Sequence, residues 1–155
     1  MSPLLSERLH LELKLILEKE LFLVREMLGN LHQEELSLIF QDTHTYQQLA
    51  HIRLEMQDRL TNLQTQREIT TEKLRETLQK PKEPLDLRGL LSDTAINRWE
   101  ILNIHDQLTT LTDRMARQQL RNQHLIEHPE HLLTLRHQTL PAKKSKRQAV
   151  ITLWK

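Results

Sequence analysis

Residues 33–80, QEELSLIFQDTHTYQQLAHIRLEMQDRLTNLQTQREITTEKLRETLQK, decide how the rest of the chain can fold. The stretch contains no Pro and no Gly. Its apolar residues recur mostly at intervals of three, four or seven positions: Leu38, Tyr46, Leu49, Ile52, Met56, Leu60, Leu63, Leu74 and Leu78. This period places them on one stripe of an amphipathic helix. We therefore predict a single helix roughly 70 Å long, at about 1.5 Å per residue, which needs an equally long helical partner.

The composition favours the same class of fold. The chain has only two Gly and five Pro, aromatic residues make up 3%, and Leu dominates an apolar share of 37%. Turn formers and strand formers are therefore both scarce. We predict one all-α domain, an elongated antiparallel helical hairpin or bundle that resembles a coiled coil and has a thin core.

Turn residues divide the chain into a few elements. Pro81 and Pro84 remove backbone donors and disfavour helix before them, whereas Gly29 allows a kink or a continuous helix. The predicted elements are a helical arm at about 4–79, a turn at 80–91, a second helix at about 93–128 capped by Ser92 or Asp93, a short third helix at about 130–140, and a basic and apolar tail at 141–155.

Two helical segments carry informative apolar patterns. Residues 4–28 are apolar on several sides, which predicts more than one neighbour: either the inside of a bundle or an interface with a second copy or a client. The second helix alternates intervals of three and four, as the seam of an antiparallel pair does. The seam consists of Ile101, Ile104, Leu108, Leu111, Met115, Gln118, Asn122 and Leu125. Gln118 and Asn122 would set its register or leave it locally solvated.

Charge and Cys content limit the class of partner and the location. A formal net charge of +1 gives no general attraction to nucleic acid, and the basic run at 143–147 lacks interleaved aromatic residues. The chain has no Cys, which excludes disulfides and thiolate metal sites and is compatible with the cytoplasm. Charges at residues 7–19 interrupt every apolar run, so we expect neither a signal peptide nor membrane insertion.

The sequence contains no recognisable catalytic constellation. It lacks a phosphate-binding Gly loop, a Gly-flanked nucleophilic Ser and the zinc-protease pair of His residues around a Glu, so we predict no enzyme and no cofactor. His124, His128 and His131 are spaced by four and three residues, as metal ligands on a helix often are. Because Pro129 interrupts their helix, we predict no physiological metal site.

One string of residues resembles the signature of the FlgN-type flagellar export chaperones. It comprises Glu35, Leu38, Ile39, Asp42, Tyr46, Leu49, Arg53, Met56, Leu60, Leu63 and Arg67. Arg53 stands where the family usually has Lys, Ser37 where Ala is common, and Tyr46 at an aliphatic position. Residues 111–126, with Asn122 before Leu125 and Ile126, resemble the second helix of the family, although only one Asn of the usual pattern is present.

The resemblance implies a cytoplasmic, all-helical, non-enzymatic chaperone of type III secretion and flagellum assembly. Such a protein holds amphipathic terminal helices of secreted hook–filament junction proteins and delivers them to the export apparatus. Family members use their C-terminal portion for the client. By position, the client-binding residues here would be Leu132, Leu133, Leu135, Leu140, Val150, Ile151, Leu153 and Trp154. The alternative is a structural coiled-coil stalk or adaptor protein that homodimerises; both a monomer and a homodimer fit the pattern.

Overall fold

All regular structure in the described part of the chain is helical. The computed structural model describes residues 3–82 and 86–139. Its helices are α1 (Pro3–Ile39), α2 (Thr43–Thr77), α3 (Leu87–Leu90), α4 (Arg98–Glu127) and α5 (Pro129–Thr139). The predicted all-α class is confirmed. Within these residues, no helix combines the length and the apolarity required to cross a bilayer.

The prediction of one uninterrupted helix over residues 33–80 is wrong. The chain turns at residues 40–42, where Gln41 adopts a left-handed φ of 55°. Asp42 then caps α2: its carboxylate accepts hydrogen bonds from the Thr45 N–H at 3.1 Å and from the Thr45 hydroxyl at 2.7 Å. These bonds satisfy a donor that the start of α2 leaves unpaired, and they lower the pKa of Asp42. At Gly29, by contrast, α1 continues without a break.

The chain forms two compact units. Unit 1 comprises Met1–Arg25 and Gln57–Thr112, and unit 2 comprises Glu26–Met56 and Asp113–Lys155. Each unit contains one segment of α1, one of α2 and one of α4.

Unit 1 has a core of aliphatic side chains from these three helices and from the segment that follows α3. Its fully buried members are Leu13, Leu17, Val24, Leu74, Leu91 and Ile101. The segment after α3 is attached to α1 because the backbone N–H of Ser92 donates to His10 Nε2 at 3.2 Å. Residues 92–97 form turns, so α4 begins at Arg98 and the predicted caps, Ser92 and Asp93, are wrong.

Polar contacts fix the helix directions in unit 1. Glu20 of α1 lies beside Arg67 of α2, with 3.4 Å between Oε2 and Nε. Along α4, Lys14 pairs with Glu100 at 2.6 Å and Arg25 donates to Gln107 at 3.0 Å, so residue numbers rise together in α1 and α4. The hydrogen bond from Lys14 to Glu100 raises the pKa of Lys14.

Unit 2 contains the turn between α1 and α2, so the segments of these two helices within unit 2 run antiparallel. Its buried apolar side chains are Met27, Leu31, Leu36, Ile39, Leu49, Met56, Met115 and Leu125. The predicted buried face of α4 is confirmed, since each of its eight residues is buried or half-buried. The polar contacts of α4 with α1 join helices that run parallel, so they do not confirm the antiparallel pairing predicted for this seam. Asn122 is buried and hydrogen-bonded rather than solvated.

Candidate functional site

The structure describes three of the eight predicted client-binding residues. Leu132, Leu133 and Leu135 lie on α5; Leu133 is 54% exposed, and the other two are half-buried. α5 belongs to unit 2, where Arg136 Nε donates to the backbone carbonyl of Ile39 at 2.9 Å. The remaining five, Leu140, Val150, Ile151, Leu153 and Trp154, lie outside the described residues.

A second apolar surface lies on the part of α1 that belongs to unit 1. We call it the outer stripe and define it by six exposed positions: Leu4, Arg8, Leu11, Leu15, Glu18 and Phe22. It lies on the opposite side of α1 from the buried Leu13, Leu17 and Val24. Because a helix normally hides its apolar face, four exposed large apolar side chains in one row make the outer stripe a candidate interaction surface.

Two cavities flank the outer stripe in unit 1. One, of about 300 Å³, is lined by Leu4 and Leu11 of α1 and by Ile96, which is 81% exposed. The other, of about 330 Å³, lies between Leu15 and Ile16 of α1 and Ile69 of α2. Both cavities expose more apolar than polar surface, which suits an aromatic or aliphatic side chain from another helix. Polar and charged side chains also line them: Glu7, Arg8, His10 and Asn97 in the first cavity, and Glu12, Lys19, Gln66 and Thr70 in the second.

A buried polar cluster, which we call the Asn122 network, joins the three helices of unit 2. Asn122 Nδ2 donates to the Leu31 carbonyl at 2.9 Å and to Glu34 Oε1 at 3.0 Å. Glu34 also pairs with Arg53, whose Nη1 donates to Asn30 Oδ1 at 3.0 Å. Because each buried polar group needs a specific partner, the network fixes the axial register of α1, α2 and α4.

The network extends to the surface through Glu35. Gln118 Nε2 donates to Glu35 Oε2 at 2.8 Å and to Asn122 Oδ1 at 2.9 Å. Arg121 pairs with the same Glu35 carboxylate. Glu35 and Arg53 belong to the string that resembles the export chaperones, and Asn122 lies in residues 111–126, which resemble their second helix. In this chain those residues therefore organise the scaffold, and Asn30 and Glu34 are network members that the sequence interpretation did not identify.

The three clustered His residues lie close together but lack a metal-binding arrangement. The imidazole of His124 is 4.5 Å from that of His128 and 4.9 Å from that of His131, measured between ring centroids. His124 Nε2 and His131 Nδ1 share a hydrogen bond of 2.9 Å. Over residues 3–82 and 86–139, no group of His, Asp and Glu side chains is placed to hold a metal ion.

Glu20 is an unusual buried carboxylate in unit 1. It is 1% exposed, and Oε2 accepts no hydrogen bond from the described residues although Arg67 lies nearby. Burial raises the pKa of Glu20, and Arg67 offsets only part of this effect. The shift therefore follows from the packing of the Glu20 carboxylate inside unit 1.

A comparison of the chain with known protein families, curated proteins and solved structures finds no match to any of the three.

Proposed function

We propose that this chain is a non-enzymatic export chaperone that acts in the cytoplasm. It binds an amphipathic terminal helix of a secreted protein of the hook–filament junction type and releases it to a type III export apparatus. The proposal combines the resemblance to FlgN-type chaperones with one observation. Helix α5, the last helix of the described residues, displays Leu133 at 54% exposure between two half-buried leucines.

The placement of α5 supports this function physically. Leu132 and Leu135 bury part of their surface and leave part accessible, and Arg136 attaches the helix to the end of α1. A client helix can thus cover the remaining apolar surface without displacing α5. Amphipathic helices commonly bind in this way, with apolar anchors at helical spacing. Binding to a preformed surface also avoids part of the entropy cost of ordering it.

The test uses the full chain and a synthetic peptide that covers the C-terminal amphipathic helix of a hook–filament junction protein. We expect Leu133→Asp to weaken peptide binding at least about tenfold, because the substitution places a charge against the apolar face of the peptide. Isothermal titration calorimetry measures the affinity. Helical circular dichroism should be unchanged, because Leu133 is exposed.

Leu120→Asp is the matched control. Leu120 is 72% exposed on α4, within the same unit, and receives the same substitution. It should leave the affinity for the peptide unchanged. Equal affinities for wild type and the Leu133 variant, or no binding by the wild type, would contradict the proposed client site.

A further inference from the structure

The outer stripe of α1 has the spacing of a helix–helix seam. Its positions Leu4, Arg8, Leu11, Leu15, Glu18 and Phe22 alternate intervals of four and three residues. This is the a/d pattern by which two helices pack side chains into each other's gaps. All six side chains are exposed in unit 1. The seam of α4 has the same spacing, but it is buried or half-buried along its whole length.

The outer stripe is complementary to itself when one copy is reversed. In an antiparallel pair centred on residue 13, Leu4 of one copy faces Phe22 of the other, and Leu11 faces Leu15. In the layer between them, Arg8 faces Glu18. Because the arrangement is twofold symmetric, each of these layers occurs twice. Apolar residues thus meet apolar residues and opposite charges meet.

We propose that a second copy of this chain binds along the outer stripe in antiparallel orientation, forming a homodimer. This inference does not depend on the proposed chaperone function, since the outer stripe lies in unit 1 and α5 in unit 2. A parallel pair in the same register would place Arg8 against Arg8 and Glu18 against Glu18. Such like-charge contacts at a seam oppose association, so the charges select the antiparallel orientation.

The flanking cavity gives Phe22 a place to bind. In the antiparallel register, Phe22 of the second copy meets Leu4 beside the cavity of about 300 Å³ that Leu4, Leu11 and Ile96 line. Phe22 is 63% exposed and Ile96 is 81% exposed in the single chain. Inserting the ring removes apolar surface of both side chains from water and occupies part of the cavity, which is how an aromatic anchor stabilises an interface.

Charge reversal tests the pairing of Arg8 with Glu18. Arg8→Glu places two carboxylates in each of the two charged layers, and Glu18→Arg places two guanidinium groups there. Each single variant should raise the dimer dissociation constant at least about tenfold. The double variant Arg8→Glu/Glu18→Arg should restore dimerisation, because it exchanges the two charges. Sedimentation equilibrium of the full chain measures the constants.

Arg59→Glu is the control, since it makes the same charge change at an exposed position of α2 in the same unit. It should dimerise as wild type does, and circular dichroism should show equal helicity for all variants. The proposal is overturned if the wild type stays monomeric at every concentration measured. It is also overturned if the double variant remains as weak as the single variants.

Disulfide formation tests the orientation, and the absence of native Cys makes the result simple to interpret. We expect a mixture of the Leu4→Cys and Phe22→Cys chains to form a mixed disulfide on oxidation. Leu4→Cys alone should not cross-link to itself, because positions 4 of the two copies would be about 27 Å apart at 1.5 Å per residue. Efficient self-linking of Leu4→Cys would indicate a parallel pair and refute the antiparallel register.

Discussion

At the scale of single residues, the buried Glu20 links stability to pH. Its folded-state pKa is raised, mainly by burial, above the ordinary value of 4.5. The folded chain therefore binds this proton more tightly than the unfolded chain does. The contribution of Glu20 to stability is greatest below about pH 4.5 and declines as pH rises through the folded-state pKa.

Glu20→Gln should remove this dependence. We expect the variant to match wild type near pH 4 and to be more stable at pH 7, because Gln avoids the free-energy cost of burying an ionised carboxylate. Urea unfolding at several pH values measures the difference. The exposed Glu68→Gln, next to Arg67 in sequence, should change stability by less than about 0.5 kcal/mol. A Glu20→Gln variant that is less stable at pH 7 would show that the attraction to Arg67 outweighs burial.

At the scale of elements, local patterns predicted the helices better than the turn between α1 and α2. The seam of α4 was predictable because alternating intervals of three and four specify a buried face directly. The turn at residues 40–42 contains neither Pro nor Gly and was missed. A signal was nevertheless present: Asp42 precedes Thr45 by three residues, a spacing typical of a helix N-cap, and polar residues 41–45 interrupt the apolar stripe.

The left-handed φ of Gln41 predicts that a substitution by Gly stabilises the folded chain, although Gly usually destabilises it. Gln41→Gly should raise the free energy of unfolding by about 0.5 to 1 kcal/mol, because Gly adopts φ near 55° without the steric cost that a Cβ imposes. The same substitution at the exposed Gln48, inside α2, should lower it by about 1 kcal/mol. Urea unfolding of both variants provides the comparison. If both substitutions were destabilising to the same extent, the strain assigned to Gln41 would be absent.

At the scale of the whole molecule, the sequence indicated surplus apolar surface on residues 4–28 but not which side stays exposed. That distinction requires tertiary packing, because the outer stripe and the core side of α1 are equally periodic. The Asn122 network could not be predicted from the sequence either, since its hydrogen bonds between α1 and α4 join residues about ninety positions apart. Its members specify register through partners that no local pattern identifies.

If both surfaces bind as proposed, the molecule is a dimer with two independent client sites. Light scattering should give the mass of two chains alone and of two chains plus two peptides after titration. Arg8→Glu should yield a monomer that binds one peptide with wild-type affinity, because the substitution changes no residue of α5. The Leu133→Asp variant should remain a dimer and should no longer bind the peptide. If the peptide instead dissociates the wild-type dimer, the client competes for the outer stripe, and the client site must be assigned to α1 and not to α5.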